Sequence, residues 1–167
     1  MKGLIGHTGF IGSILKTHIK NYKLYNSKNI NSIRKKNFKE IICVGLPASK
    51  WKANKCPNKD TKNLNSLIRN LVSIKCNLFI LISTIDVHNN RETYGKNRKK
   101  FEIFIKKNFR NYLIIRLPAV FGKGIKKNIL YDLLNNKQIF KISKDDTYQW
   151  FDLSLLHKEI QKLKKKN

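Results

Sequence analysis

Seven residues near the amino terminus, Gly6-His7-Thr8-Gly9-Phe10-Ile11-Gly12, constrain this chain more than any other stretch. They follow a short apolar run, Gly3 to Ile5. They lead into Phe10, Ile11, Ile14, Leu15, His18 and Ile19, which recur at helical spacing, so the segment reads as strand, glycine turn, helix. Glycines at such a junction let the backbone turn tightly and approach a ligand. The helix N-terminus adds free N–H groups and a partial positive charge, a combination that suits a pyrophosphate. Gly12 allows the helix to pack close to the strand. The spacing is G-x-x-G-x-x-G rather than G-x-G-x-x-G, and it gains its meaning from the βαβ setting. Gly6, Thr8, Gly9, Phe10, Ile11 and Gly12 are therefore candidate dinucleotide contacts, and His7 reads as a loop residue.

The same alternation continues. Lys23 to Tyr25 reads as a weak second strand, followed by a short basic helix or loop through Ile33 and Lys36. Ile41 to Val44 and Leu78 to Ile82 read as strands covered on both faces, because no polar residue interrupts them. Leu64, Leu67, Ile68, Leu71 and Val72 mark one helix, and Tyr94, Phe101, Phe104 and Ile105 another. Tyr112 to Ile115 is a fifth strand. Strand and helix in turn from residue 2 to about 118 call for an α/β fold: a Rossmann-type, doubly wound parallel sheet. The rest reads as a short helix at Ile129 to Leu134, strands at Gln138 to Ile142 and Tyr148 to Phe151, and a closing helix through Leu153, Leu156, Ile160 and Leu163. Asp152 is placed to cap that last helix. The expected organisation is a nucleotide-binding core over 1–122 and a reduced C-terminal segment, 123–167, packed on the same domain.

Charge is the unusual bulk property. Lys and Arg number 36 against 10 Asp and Glu, a net charge of +26 over 167 residues. Such an excess suits a nucleic-acid or anionic-surface binder. Yet the cations are mostly Lys, spread along the chain, and Arg is the residue of planar bidentate recognition. The one dense cluster is a tail at Lys162 and Lys164 to Lys166, expected to be frayed. Nucleic-acid binding is thus a third-ranked alternative. Cys43, Cys56 and Cys76 form no Cys-x-x-Cys pair, the four histidines are scattered, and no metal site is expected. Reduced structural thiols in a cytoplasmic protein account for them, with Cys43 and Cys76 buried and unpaired. No segment has the roughly 20 apolar residues of a membrane helix. Leu4-Ile5 runs straight into the glycine turn, leaving no apolar core for a signal peptide, and no membrane association is expected.

In many Rossmann sites an acid about 20 residues past the glycine turn binds the ribose 2′-hydroxyl. Here the second strand ends in Tyr25-Asn26-Ser27-Lys28, with no acid. Lys28 or Arg34 can meet a 2′-phosphate, which favours NADP over NAD. Asn26, Ser27 and Lys28 join the candidate cofactor residues, with Gly45 after the third strand and Leu117 and Pro118 after the fifth.

Taken in order, these segments resemble the extended short-chain dehydrogenase/reductase family, the NAD-dependent epimerases and dehydratases of nucleotide sugars. Gly6 to Gly12 looks like its phosphate turn. In Leu81-Ile82-Ser83-Thr84-Ile85-Asp86-Val87-His88, Thr84 matches the family's catalytic Ser/Thr. Tyr94-Gly95-Lys96-Asn97-Arg98 looks like its Tyr-x-x-x-Lys, and Arg116-Leu117-Pro118-Ala119-Val120-Phe121-Gly122 like the strand end beside the nicotinamide. Tyr148-Gln149-Trp150-Phe151-Asp152 resembles a later segment that precedes a helix. The resemblance implies an NAD or NADP cofactor, a small-molecule substrate such as a nucleotide sugar, and a homodimer built on the helices around Leu64 to Val72 and Phe101 to Ile105.

The residue types suit the chemistry the resemblance implies. Hydride transfer belongs to the cofactor, and the protein moves one proton and holds the geometry. A phenol with an ordinary pKa near 10 is a poor base at neutral pH. A cation four residues along the same helix face stabilises its phenolate. Tyr94, Arg98 and Thr84 are accordingly the expected catalytic set, with Thr84 bonding the reacting oxygen. Three departures stand out: Arg98 replaces the family's Lys, Thr84 and Tyr94 are only ten residues apart, and the chain ends where a substrate domain would continue. A dinucleotide-binding module with weak or no catalysis, in a sensing or interaction role, is the alternative these departures favour.

Overall fold

The computed structural model describes residues 1–89 and 91–165, the Lys141 side chain excepted. Five strands, β1 (Lys2–Ile5), β2 (Tyr22–Tyr25), β3 (Asn37–Cys43), β4 (Lys75–Thr84) and β5 (Tyr112–Leu117), form one parallel sheet in the order β2-β1-β3-β4-β5. Side chains alternate across it with the strand period of two. Ile41, Cys43, Phe79 and Leu81 face one way, into a core completed by Leu64, Leu67 and Leu71 of α3 (Pro57–Leu71) and Phe101 and Ile105 of α4 (Thr93–Asn108). Leu4, Ile42, Ile80 and Ile82 face the other way, against Leu15 of α1 (Phe10–His18) and Leu156 and Ile160 of α6 (Leu156–Lys164). With both faces covered, the sheet is doubly wound, a Rossmann-like α/β fold.

Chain direction reverses its march across the sheet at β1. The chain passes from β1 to β2 on one side and then to β3 on the other, so a crevice opens between β1 and β3 at their carboxyl ends. Gly6 sits in that crevice with φ +88, a conformation that a side chain disfavours, and a Cβ there would lie 2.8 Å from the Val44 carbonyl oxygen. At Gly12 a Cβ would meet the Gly6 carbonyl oxygen at 2.2 Å, so only glycine lets α1 start this close to the turn.

The short elements differ from the sequence expectation in physically readable ways. A helix α2 (Lys50–Lys55) with a single buried residue, Ala53, escapes periodicity analysis because it is too short and polar to show a stripe. The basic stretch after β2 closes as a 3₁₀ turn, Ile30–Ile33. Gln138 to Ile142 is not a strand: Ile139–Lys141 forms a 3₁₀ turn after Gln138 in the left-handed region, and its apolar residues Ile139 and Phe140 stand exposed. β6 (Ala119–Phe121) and β7 (Trp150–Asp152) pair in parallel as a separate two-stranded sheet. Between them α5 (Ile129–Leu134) buries none of its residues.

At the tail, α6 runs on through Lys164 instead of fraying. Ile160 is fully buried, Lys162 pairs with Glu159 at 2.7 Å, and Lys164 bonds the buried Glu40 of β3; Lys166 lies outside the described residues. Cys43 is buried, Cys76 is only half-buried because it lies near the start of β4, and Cys56 is exposed; none is bonded to another. On the two helices around Leu64 to Val72 and Phe101 to Ile105, Leu64, Leu67, Leu71, Phe101 and Ile105 are buried in the chain's own core, while Ile103 on α4 and Val72, just past α3, are exposed.

Candidate functional site

In a parallel sheet every residue following a strand lies at the carboxyl edge. Gly6 after β1, Asn26 after β2, Gly45 after β3, Thr84 at the end of β4, and Leu117 and Pro118 at the end of β5 therefore share one edge with the start of α1. Tyr94, in the first turn of α4, joins them. Arg34 does not. It precedes β3, and its Nε donates to Asn70 Oδ1 (2.8 Å) in the last turn of α3, at the amino edge. Of the two cations considered for a 2′-phosphate, only Lys28 stands at the crevice end.

The glycine turn is built by the main chain. Gly6 N donates to Tyr25 O (2.8 Å), Gly9 N to Gly6 O (3.0 Å) and Ser13 N to Gly9 O (2.8 Å). Among the described residues no acceptor meets the N–H groups of Phe10, Ile11 and Gly12, and Gly9 offers the helix no side-chain cap. The side chains of Phe10 and Ile11 pack towards the sheet, so their contribution at the turn is their N–H groups. Thr8 and Gly9 are exposed. Gly9 differs from the other two glycines: its φ is −78, and an added Cβ would meet only Gly6 O, at an ordinary 3.4 Å. Among the described residues nothing that a Cβ would meet requires a glycine there; a ligand lying on the helix N-terminus would.

The loop after β2 is held by its own amides. Asn26 N donates to Asn29 Oδ1 (2.7 Å), Lys28 N to Asn26 Oδ1 (2.9 Å) and Asn29 Nδ2 to Leu24 O (3.0 Å). Asn26 Nδ2 also lies 3.3 Å from His7 Nε2, tying this loop to the glycine turn. Ser27 and Lys28 are exposed. Gly45 is half-buried, and a Cβ there would press Ile5 at 2.9 Å.

The catalytic candidates are more internally engaged. Thr84 Oγ1 donates to Asp86 Oδ2 (2.9 Å) and accepts from Asp86 N (3.2 Å), so it caps the 3₁₀ turn Ile85–His88. Asp86 in turn takes Lys50 Nζ from α2 at 2.8 Å. The Tyr94 main chain is held by Asn54 Oδ1 of α2 (3.0 Å), and α4 starts so close to the turn that a Cβ on Gly95 would meet Asn89 O at 2.3 Å. Tyr94 is buried, with the Arg98 Cζ 4.3 Å from its ring centroid. Arg98 is itself buried. Its Nη1 and Nη2 reach the two oxygens of Asp60 on α3 (2.9 and 3.2 Å), and Nη2 also donates to Pro47 O (2.5 Å) in the loop after β3. Asn97 Nδ2 completes the set with bonds to Asp60 Oδ2 and Thr61 Oγ1. Burial raises the Tyr94 phenol above its ordinary pKa; Arg98 pulls it down and Asp86 and Asp60 push it up, so the raised value prevails.

Asp60, Asp86, Lys50 and Asn54 were not among the residues picked from the sequence. Asp60 lies in the first turn of α3, where an acid complements the helix dipole, and nothing local in the sequence points it at Arg98 across 38 positions. Another buried acid, Glu102, accepts from Ser83 Oγ (2.6 Å) and from Arg116 Nη2 (2.7 Å), which locks α4 to the ends of β4 and β5.

Fold and crevice together define a dinucleotide-binding architecture of the Rossmann type. Solved structures share it. MoeE5, a complex with UDP-glucose and NAD, aligns over 96% of this chain and 70% of its own, with a TM-score of 0.74 at 13% identity. TunA, an NAD-dependent NDP-hexosamine 5,6-dehydratase of tunicamycin biosynthesis, aligns over 97% and 71%, with a TM-score of 0.75 at 14% identity. The dTDP-4-dehydrorhamnose reductase of Bacillus anthracis, solved with NADP, aligns over 97% and 69%, with a TM-score of 0.67 at 17% identity. At these identities the likeness is one of fold. No protein-family model matches the chain, and no curated protein matches its sequence. Among the described residues no helix is long and apolar enough to cross a membrane, and no three His, Cys, Asp or Glu side chains gather as a metal site would need.

Proposed function

We propose that this chain binds NAD or NADP at the carboxyl edge of its sheet and exchanges hydride at a hydroxyl or carbonyl carbon of a small substrate such as a nucleotide sugar. The observation that carries the reading is Gly9, a glycine that the packing around it does not need, beside three helix N–H groups that meet no acceptor among the described residues. Gly6, Thr8 and Gly9 to Gly12 hold the pyrophosphate. Asn26, Ser27 and Lys28 border the adenosine ribose, and with no carboxylate there to repel a 2′-phosphate, NADP is favoured. Gly45, Leu117 and Pro118 line the far side. When bound, the dinucleotide supplies or takes up the hydride. Tyr94 moves the proton, Thr84 orients the substrate oxygen once its hydroxyl turns from Asp86, and Arg98 stands in for the lysine of the family motif.

Fold relatives solved with NAD, NADP and a nucleotide sugar support this substrate class. The test is calorimetric titration with NAD and NADP, followed by hydride-transfer assays on a panel of nucleotide sugars. Binding and turnover are expected, with Tyr94→Phe lowering the rate about 10²–10⁴-fold at unchanged cofactor affinity. Silence towards both dinucleotides at millimolar concentration would overturn the reading. A second reading, a dinucleotide-binding module without turnover, is favoured by the engagement of Thr84 with Asp86 and of Arg98 with Asp60. It predicts binding without hydride transfer.

A further inference from the structure

We propose that Asp60 is a positioning residue for Tyr94: its carboxylate holds the Arg98 guanidinium against the face of the phenol ring and cancels that cation's charge. The inference rests on the reading of Tyr94 as the proton-transfer residue and adds a residue from a different helix to it. Both oxygens of Asp60 bind Arg98, at 2.9 and 3.2 Å, and the pair is almost wholly buried, with side-chain exposures of 4% and 7%. The third guanidinium bond, to Pro47 O, and the Asn97 amide on Asp60 leave the group one orientation, 4.3 Å from the ring centre. A planar cation fixed in this way dictates where the ring lies, which a flexible lysine would not.

The charge consequence is equally definite. A lone cation beside a phenol stabilises the phenolate; a closed ion pair is a dipole and does so far less. The charged groups around Tyr94 are Arg98 on its own helix, Asp60 from α3, and Asp86 from the turn after β4; Asp86 is paired with Lys50 of α2, whose Nζ also lies 3.6 Å from Glu92. With Arg98 compensated, burial dominates and the phenol stays protonated through neutral pH. It is then able to give its proton to a substrate oxygen when the adjoining carbon receives hydride.

Tyr94 ionisation can be followed without a substrate, as phenolate absorbance of each protein minus that of the same protein carrying Tyr94→Phe. Asp60→Asn should move the Tyr94 titration down by roughly 1–3 pH units, the effect of an uncompensated neighbouring cation. Arg98→Gln should move it up, and Asp60→Asn with Arg98→Gln should bring it back below the single Arg98→Gln variant. Asp60→Glu should restore wild-type behaviour. An Asp60→Asn protein that is folded by circular dichroism yet titrates with the wild type would overturn the proposal. If Asp60→Asn does not fold, the other two variants decide, and identical titrations of Arg98→Gln and the double variant would overturn it. A shift in titration without any hydride transfer would leave the coupling standing and remove the catalytic reading, so the two failures are distinguishable.

Discussion

The glycine turn and the Tyr94 cluster stand at the same edge of one sheet and treat their polar groups in opposite ways. The turn leaves the N–H groups of Phe10, Ile11 and Gly12 without an acceptor among the described residues and keeps Gly9 clear of everything but one carbonyl oxygen. The Tyr94 cluster closes on itself: Thr84 on Asp86, Asp86 on Lys50, Arg98 on Asp60 and Pro47, Asn97 on Asp60. An open set of donors is stable only because water or a ligand can reach it. The cluster's Arg98–Asp60–Asn97 part is buried, has no water to fall back on and must be complete, whereas the Asp86–Lys50 pair lies partly in solvent. Change at Gly9 should therefore be felt as lost binding, and change at the cluster first as lost stability.

That contrast is sharpest in a pair of substitutions. Asp60→Ala leaves the Arg98 charge buried and unpaired, which costs about 3–5 kcal/mol. Gly9→Val keeps an ordinary φ and its Cβ meets only the Gly6 carbonyl oxygen, so it should cost no more than the roughly 1 kcal/mol of a poorer N-cap while dinucleotide binding disappears. Urea unfolding and calorimetric titration on both proteins check the pair. If Gly9→Val unfolds the chain, or Asp60→Ala leaves it as stable as before, the division between open and closed sites is wrong.

The division also explains what was legible in the sequence. The turn is local: three glycines, a preceding strand and a following stripe sit within 18 residues, and its geometry follows from their order. Likewise the centres of β3 and β4 were legible because a strand covered on both faces is apolar through its buried stretch, Ile41 to Cys43 and Phe79 to Ile82. The Tyr94 cluster is not local. Tyr94 and Arg98 are visible as a same-face pair, but Asp60, Pro47 and Asn54 come from α3, a loop and α2, and only the packed fold brings them together. Nothing in a run of Asn, Lys and Asp distinguishes the buried Asp60 from a solvated one. The misplaced strand at Gln138 to Ile142 has the same origin, because an apolar pair outside the core carries the same pattern as one inside it.

Acid should find the closed side first. Burial works to raise the Glu102 pKa, but the bonds from Arg116 and Ser83 outweigh it and hold the carboxyl below its ordinary 4.5. A group depressed in the folded state contributes stability that is present above its unfolded pKa and lost as pH falls through the folded one. Stability should therefore decline below about pH 4.5, and Glu102→Gln should flatten that decline while lowering stability at neutral pH. The donors of the glycine turn are main-chain N–H groups that do not titrate. Urea midpoints of both proteins across the acid range decide it, and parallel curves would show that Glu102 does not carry the pH dependence.

Thiol chemistry probes depth beneath the two sites. Cys43 ends β3 under the crevice, and burial pushes its thiol up to about 12; Cys76 is half-buried and raised to about 11. Cys56 is exposed just before α3. Labelling of the native protein should modify Cys56 in a fast phase, Cys76 far more slowly, and Cys43 only on unfolding. Equal rates at Cys43 and Cys56 would contradict the placement of β3 at the centre of the sheet.

The smallest effect is expected where the chain leaves both sites. Asp152 ends β7, and its Oδ1 accepts from Ser154 N at 2.8 Å, capping the 3₁₀ turn Leu153–Leu155 that feeds α6. Leu153, Leu156 and Ile160 bury that segment against β1, β3 and β4, so apolar packing rather than the cap fixes its position. Losing the cap alone should then cost about 1 kcal/mol, and at this chain length Tm should fall by roughly 2–4 °C. Asp152→Asn keeps an acceptor at the same place and should recover most of the loss, whereas Asp152→Ala should not. Neither should alter dinucleotide affinity, because the cap bonds only its own turn. A drop in affinity with Asp152→Ala would mean that the β6–β7 pair takes part in the crevice, and the boundary between the open and the closed parts of this edge would have to be moved.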